Sequence, residues 1–147
     1  MSEHPRQPES AAAALTEAAQ VHRRLVAAYP EILAGRLDDA LSLIDPEVID
    51  HRGGVEGDHH GRDAWRRKWE RMTVIGFRDV SVTVEQNVAA GDTSVNRYTS
   101  RGTHPASGRR YEVVSMDMIR VRDGMVVEHW ALRDQAAMAD QLGLDGS

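Results

Sequence analysis

The side chains of this 147-residue chain best suited to chemistry crowd into one segment, Gly124 to Gly143, "GMVVEHWALRDQAAMADQLG". The segment starts as an apolar strand pattern, sets down His129, Trp130 and Asp134, and ends as a helical pattern. An aspartate inside an apolar, aromatic-lined cavity is costly to ionise, so its pKa rises and it can take a proton and hand it back. Asp134 is the candidate for that work. It also stands immediately before the helical run "QAAMADQL", where Asp is a favoured N-cap, and the two roles are compatible. Strand alternation puts Val126, Glu128, Trp130 and, if the extended form persists, Asp134 in one register, with Val127, His129 and Arg133 opposite. Trp130 and Asp134 are therefore expected to share a wall, and His129 to turn away from it.

Other residues raise other chemistries. Asp58, His59 and His60, with His51 upstream, carry nitrogen and oxygen donors that suit zinc, iron or copper. Neighbours in the glycine-rich stretch "GGVEGDHHG" seldom converge on one ion, however, and no His-x-x-x-His pair supports them, so no metal site is expected. His104, in "RGTH" before Pro105, reads as a turn residue or as a polar group at a cavity mouth. Trp65 and Trp69 lie four residues apart on one helical face and serve either the core or a ligand platform. Arg97, mid-strand, is a surface residue or ion-pair partner in one reading and a ligand clamp in the other.

The elements that must position these groups fall into two textures. Residues 1–10 are polar, hold two prolines and lack apolar periodicity, which predicts a flexible leader before a single domain over 11–147. From Ala11 a stripe through Leu15, Ala18, Val21 or His22, Leu25 and Tyr29 predicts an amphipathic helix that Pro30 ends or kinks. "EILAGRLDDALSLID" predicts a second short helix, "DPEVIDHR" an extended segment, "GGVEGDHHG" a loop, and "GRDAWRRKWERM" a third helix. After Gly76, four β-branched stretches separated by "AAGD", "HPASG" and "RDG" predict an antiparallel meander. Helices followed by a meander is an α+β pattern, with helices covering one face of a sheet. In "YEVVSMDMIRV" both faces are partly apolar, so one is expected to line a cavity and the other to meet a neighbour, such as a second subunit.

Composition narrows the function. The chain has no cysteine, which removes disulfides, thiolate nucleophiles and thiolate metal sites. A formal net charge of -5 with dispersed acids provides no footprint for nucleic acid. No apolar run approaches the roughly 18 residues of a membrane span, and "MSEHPRQPES" lacks the pattern of a signal peptide, so neither membrane insertion nor export is expected and the cytoplasm is.

Taken in order, "GRLDDALSLIDPEVIDH", "GRDAW", "RGTH" and "VRDGMVVEHWALRDQAAMADQLG" resemble the SnoaL-like polyketide cyclase family of the NTF2-like superfamily, over about Val21 to Gly143. The last motif is the specific one. The resemblance implies a cone-shaped α+β barrel, a curved antiparallel sheet wrapped with helices around a deep apolar cavity, in a homodimer. It also implies an enzyme without a cofactor, in which Asp134 is the general acid/base of a ring-closing intramolecular aldol condensation on an aromatic polyketide and Trp130 shapes the wall against the planar substrate. Two further pocket positions of the cyclases, commonly an asparagine and a histidine, correspond here to Asp50 and Asp117. Three carboxylates in one cavity would raise at least one pKa strongly. The same family includes hydroxylases of aromatic polyketides, for which Asp134 or Asp117 would deprotonate the substrate before it meets dioxygen. A third alternative is a non-catalytic ligand-binding module. His51, His104 and His129 are the histidines that could complete an acid/base pair.

Overall fold

Thr16 opens the first helix, α1 (Glu17–Ala27), by accepting a hydrogen bond from the Ala19 backbone N–H at 3.0 Å. The structure, a computed structural model, describes residues 15–143. The expected leader over 1–10 and the expected helix start at Ala11 lie outside the described residues. Pro30 acts as its chemistry requires: α1 stops, and Pro30 stands in the first turn of a new short helix, α2 (Tyr29–Leu33), where its missing N–H costs nothing. The expected second helix is divided. Gly35, at φ +87°, breaks the path, and helical structure resumes only at α3 (Asp38–Leu41).

The extended segment is β1 (Ile44–His51), and α4 (Arg62–Ile75) is the tryptophan helix, ended by Gly76 in the left-handed conformation. Between them "DHH" departs from the expected loop: Asp58–His60 form a short strand, β2, paired antiparallel with β1. The meander follows as β3 (Arg78–Ala90), β4 (Thr93–Thr103), β5 (Arg110–Arg122) and β6 (Met125–Arg133), and the chain then enters α5 (Gln135–Leu142). The six strands form one curved sheet in the order β2-β1-β6-β5-β4-β3, antiparallel throughout except where β1 runs parallel to β6. That parallel pair brings the first strand beside the last, so residues far apart in sequence share one surface.

Apolar burial fixes the helices on the inner face of the sheet. Val21, Ile32, Leu41, Ile44, Val48, Ile119 and Val126 form the main core together with Trp65 and Trp69. The two tryptophans meet edge to face at 5.8 Å, so they serve the core, one of the two expected roles. A smaller cluster of Tyr111, Val113 and Leu142 seats α5 on the sheet. On β5 the residues Val113, Ser115, Ile119 and Val121 are buried, whereas Val114 and Met116 are exposed. Both faces of this strand are apolar, as its sequence requires, and only one is covered.

One irregularity decides which side chains of β6 point inward. Ile119 pairs with His129 and Arg120 with Glu128, but Val121 pairs with Val126, leaving Val127 as an extra residue. Simple alternation from buried Val126 would turn Trp130 inward. The bulge reverses the parity, so Val126 and His129 both face the core and Trp130 faces outward.

Candidate active site

His129 is the centre of a buried polar chain that crosses the sheet. The parallel register sets Asp50 of β1 beside it, and Asp117 projects from the inner face of β5. His129 Nδ1 lies 2.8 Å from Asp50 Oδ1 and its Nε2 3.3 Å from Asp117 Oδ2. Asp50 Oδ2 accepts from Lys68 Nζ of α4 at 2.8 Å and from Arg52 Nε at 3.0 Å. On the far side, Asp117 Oδ1 faces His22 Nε2 of α1 at 3.0 Å, and His22 Nδ1 meets Ser94 Oγ at 2.8 Å. Ser94 Oγ in turn accepts from Asn87 Nδ2 at 2.9 Å.

The electrostatics follow from that chain. Burial alone would raise the carboxyl pKa of Asp50 and Asp117. Hydrogen bonds from His129 to both, with Lys68 on Asp50 and His22 on Asp117, outweigh burial and hold both well below the usual carboxylate range. The expected strong upward shift from crowded carboxylates therefore does not occur at this pair, because His129 stands between them. Lys68 shows the opposite balance: burial lowers its ammonium pKa to about 8 despite Asp50. Its Nζ sits 3.5 Å above the Trp65 ring, whose edge meets His129 at a centroid distance of 5.0 Å. Trp65 thus packs the core and walls the polar chain at once.

Next to the chain lies a cavity of about 280 Å³ between the inner face of the sheet and helices α2, α4 and α5. Leu33, Met72, Phe77, Val82 and Val113 supply apolar walls, while Tyr29, Tyr98, Arg133 and Asp134 supply the polar groups. Burial pushes the Tyr29 phenol up to about 12 and raises that of Tyr98, so both are O–H donors at neutral pH. Arg133 and Ser115 lie against Tyr98, and the charge of Asp117 reaches Arg133.

The expected site residues divide into groups. Asp134 lines the cavity from an exposed position at its rim and caps α5, its Oδ1 accepting from Ala137 N at 2.9 Å. Asp117, Asp50 and His129 are joined directly; the expectation that His129 turns away from the site is corrected by the bulge. Trp130 does not share a wall with Asp134. It stacks on His51 at 4.7 Å on the outer side of the sheet, and His51 bonds Asp58 and Glu128 at 2.9 Å each. Glu128 first, and Asp58 with it, raise the His51 pKa against the opposing effect of burial. His104 sits in the β4–β5 turn, bonded to Ser107 at 2.9 Å and tilted on Phe77, and does not join the lining of the cavity. Arg97 is exposed on the outer face opposite Met116. His22, Ser94, Lys68, Arg52, Tyr29, Tyr98 and Arg133 complete the site without having been singled out. The signal for His22 was present: it shares the buried stripe of α1, where an imidazole needs partners.

A small curved sheet closed by helices over an apolar cavity, with ionisable groups at one end, defines an α+β domain with the NTF2 and ketosteroid isomerase type of fold. Within that class the chain belongs to the SnoaL-like polyketide cyclase family, whose sequence model matches residues 19–142. IdmH from Streptomyces antibioticus, a proposed polyketide cyclase, is 31% identical with a TM-score of 0.70, over 84% of this chain and 99% of that one. TsrD from Streptomyces laurentii is 27% identical with a TM-score of 0.69, over 97% and 99% of the two chains. AclR from Streptomyces galilaeus, a proposed hydroxylase, is 21% identical with a TM-score of 0.73, over 88% and 98%, a likeness of fold alone. No curated protein sequence matches this chain. Among the described residues no helix is long and apolar enough to cross a membrane.

Proposed function

We propose that this protein is a cofactor-independent acid/base enzyme that closes a ring in an aromatic polyketide intermediate by intramolecular aldol condensation, acting in the cytoplasm. The observation that carries the reading is that Arg133 and Asp134, the charged groups of the lining, stand side by side on a cavity wall of mainly apolar and phenolic side chains. Asp134 takes a proton from a carbon flanked by carbonyls, and the resulting carbanion attacks a second carbonyl carbon of the same molecule. The alkoxide so formed recovers the proton from Asp134, and atoms balance without a further reagent. Arg133, with the Tyr29 and Tyr98 hydroxyls, supplies positive charge and donors where enolate charge develops. Oδ1 of Asp134 is occupied by the helix cap, which aims the group and leaves Oδ2 for the substrate. Asp117, held ionised by His22 and His129, adds a negative charge whose field reaches Arg133. The relatedness to IdmH at 31% identity favours ring closure over oxygen insertion.

Asp134→Asn tests this, because Asn caps helices as well as Asp and the fold should persist. We expect product of unchanged mass and one new ring from the wild type, and about 100-fold or more slower turnover in the variant. Equal turnover in the two proteins would remove Asp134 from the mechanism. Gain of one oxygen atom with dioxygen consumed would move the protein to the hydroxylase branch.

In the same reading two copies pair through the outer sheet face. Val114, Met116 and Leu132 are exposed there, Leu132 at 78%, around an apolar depression of about 520 Å³ that also includes Trp130. Leu132→Glu should convert a dimer to a folded monomer in light scattering; a wild type that is monomeric at high concentration would dismiss the pairing.

A further inference from the structure

Beside the cavity lies a second, polar cleft of about 90 Å³, lined by Arg52, Lys68, His129, Arg133, Gln135 and Asp50. Arg133 and Gln135 line both spaces, so the two are neighbours with these side chains between them. Within the lining of the cleft Arg52, Lys68 and Arg133 stand against the carboxylates of Asp50 and Glu56. Asp50 is a single carboxylate shared by Lys68, Arg52 and His129. Among the described residues the other carboxylates in reach are Asp117, which lies outside the lining and 3.3 Å from the far nitrogen of His129, and Glu56, whose Oε1 stands 3.8 Å from Arg52 Nη1, beyond hydrogen-bonding distance. Glu56 is exposed, in a loop where Gly53, Gly54 and Gly57 all have positive φ. Arg52 itself is nine-tenths buried, and its Nη2 has no hydrogen-bond partner among the described residues. A buried guanidinium N–H without a partner is costly, and a planar fork of such donors matches a carboxylate. Burial is the main cause of the lowered pKa of Lys68, and Arg133 and Arg52 add smaller repulsions against the stronger pull of Asp50.

We propose that this cleft is an anion subsite that takes a carboxylate carried on the molecule held in the adjoining apolar cavity, so that the substrate is an acid at that end. The inference rests on the cavity being the substrate's place, as in the reaction above. Glu56 then acts as a weak internal occupant that the carboxylate of the substrate displaces from Arg52.

Binding without turnover tests it, with 2-naphthoate and its methyl ester titrated calorimetrically into the whole chain. We expect the acid to bind at least tenfold more tightly than the ester. Arg52→Gln should bring the acid down to the ester's affinity, and Glu56→Gln, a change at an exposed loop residue that leaves the core untouched, should strengthen the acid several-fold and leave the ester unaltered. Equal affinity of acid and ester for the wild type, or an acid affinity indifferent to Glu56→Gln, overturns the subsite alone. Failure of both ligands to bind overturns the subsite and the cavity reading together.

Discussion

His129 shows how much one side chain can hold. Both of its ring nitrogens face carboxylates, and those carboxylates join three further cationic or imidazole groups from α1, α4 and the β1–β2 segment. Replacing it by Asn removes the group that separates Asp50 from Asp117 and leaves two buried like charges facing one another. We expect His129→Asn to cost about 3 kcal/mol or more in urea unfolding, the range for stripping a partner from a buried ionic cluster. A loss under 1 kcal/mol would mean that water or rearranged side chains replace the ring without difficulty. The family resemblance placed Asp50 and Asp117 in one cavity, but strand alternation turned His129 away from them. Their contact depends on a parallel strand pair and a bulge, and neither leaves a mark in local periodicity. His22 and Lys68 were unread for a related reason: on an amphipathic helix a polar residue near the apolar stripe looks the same whether it reaches solvent or a buried carboxylate.

Elements were far more legible than contacts. The helix with Trp65 and Trp69, the break at Pro30, the four long strands and the Asp134 cap all follow from local rules, because caps, proline geometry and alternation act within a few residues. The exceptions are β2, whose three residues are too few to show a period, and the divided second helix, where Gly35 outweighs a run of helix formers. Strand pairing also sets a constraint of its own at Gly102, which faces Tyr111 across β4 and β5. A Cβ at Gly102 would stand 2.7 Å from Cε2 of the Tyr111 ring, so the ring covers the space that glycine leaves open. Tyr111 lines the cavity, and the ring cannot move without changing its shape. Gly102→Ala should therefore lower stability by about 1–3 kcal/mol and weaken ligand binding in the cavity. Unchanged melting and binding would show that Tyr111 has another rotamer at little cost.

At the scale of the whole molecule, the buried charges that shape the site also set the pH range in which it is stable. Asp50 and Asp117 have depressed folded-state pKa values, so the stability they contribute is present above the ordinary carboxylate range and is lost as pH falls below about 4. Lys68 acts at the other end. Its folded value of about 8 lies below the ordinary lysine value, so between the two the unfolded chain binds more protons than the folded one. Stability from this group therefore rises with pH across that window. The raised His51 works in the opposite sense: its contribution is complete below the ordinary histidine value and is lost as pH climbs through the raised one. Tyr29, pushed up to about 12, reverses the alkaline gain once the unfolded phenol begins to ionise near pH 10. The clean interval for Lys68 is thus about pH 8 to 10, and the comparison that isolates it is wild type against Lys68→Met, in which every other group is shared. We expect the stability difference, wild type minus variant, to move in favour of the wild type by on the order of 2 kcal/mol across that interval. A flat difference would mean that water reaches the ammonium and keeps it at its ordinary value, and the cation-rich cleft beside the cavity would then be wetter than its geometry implies.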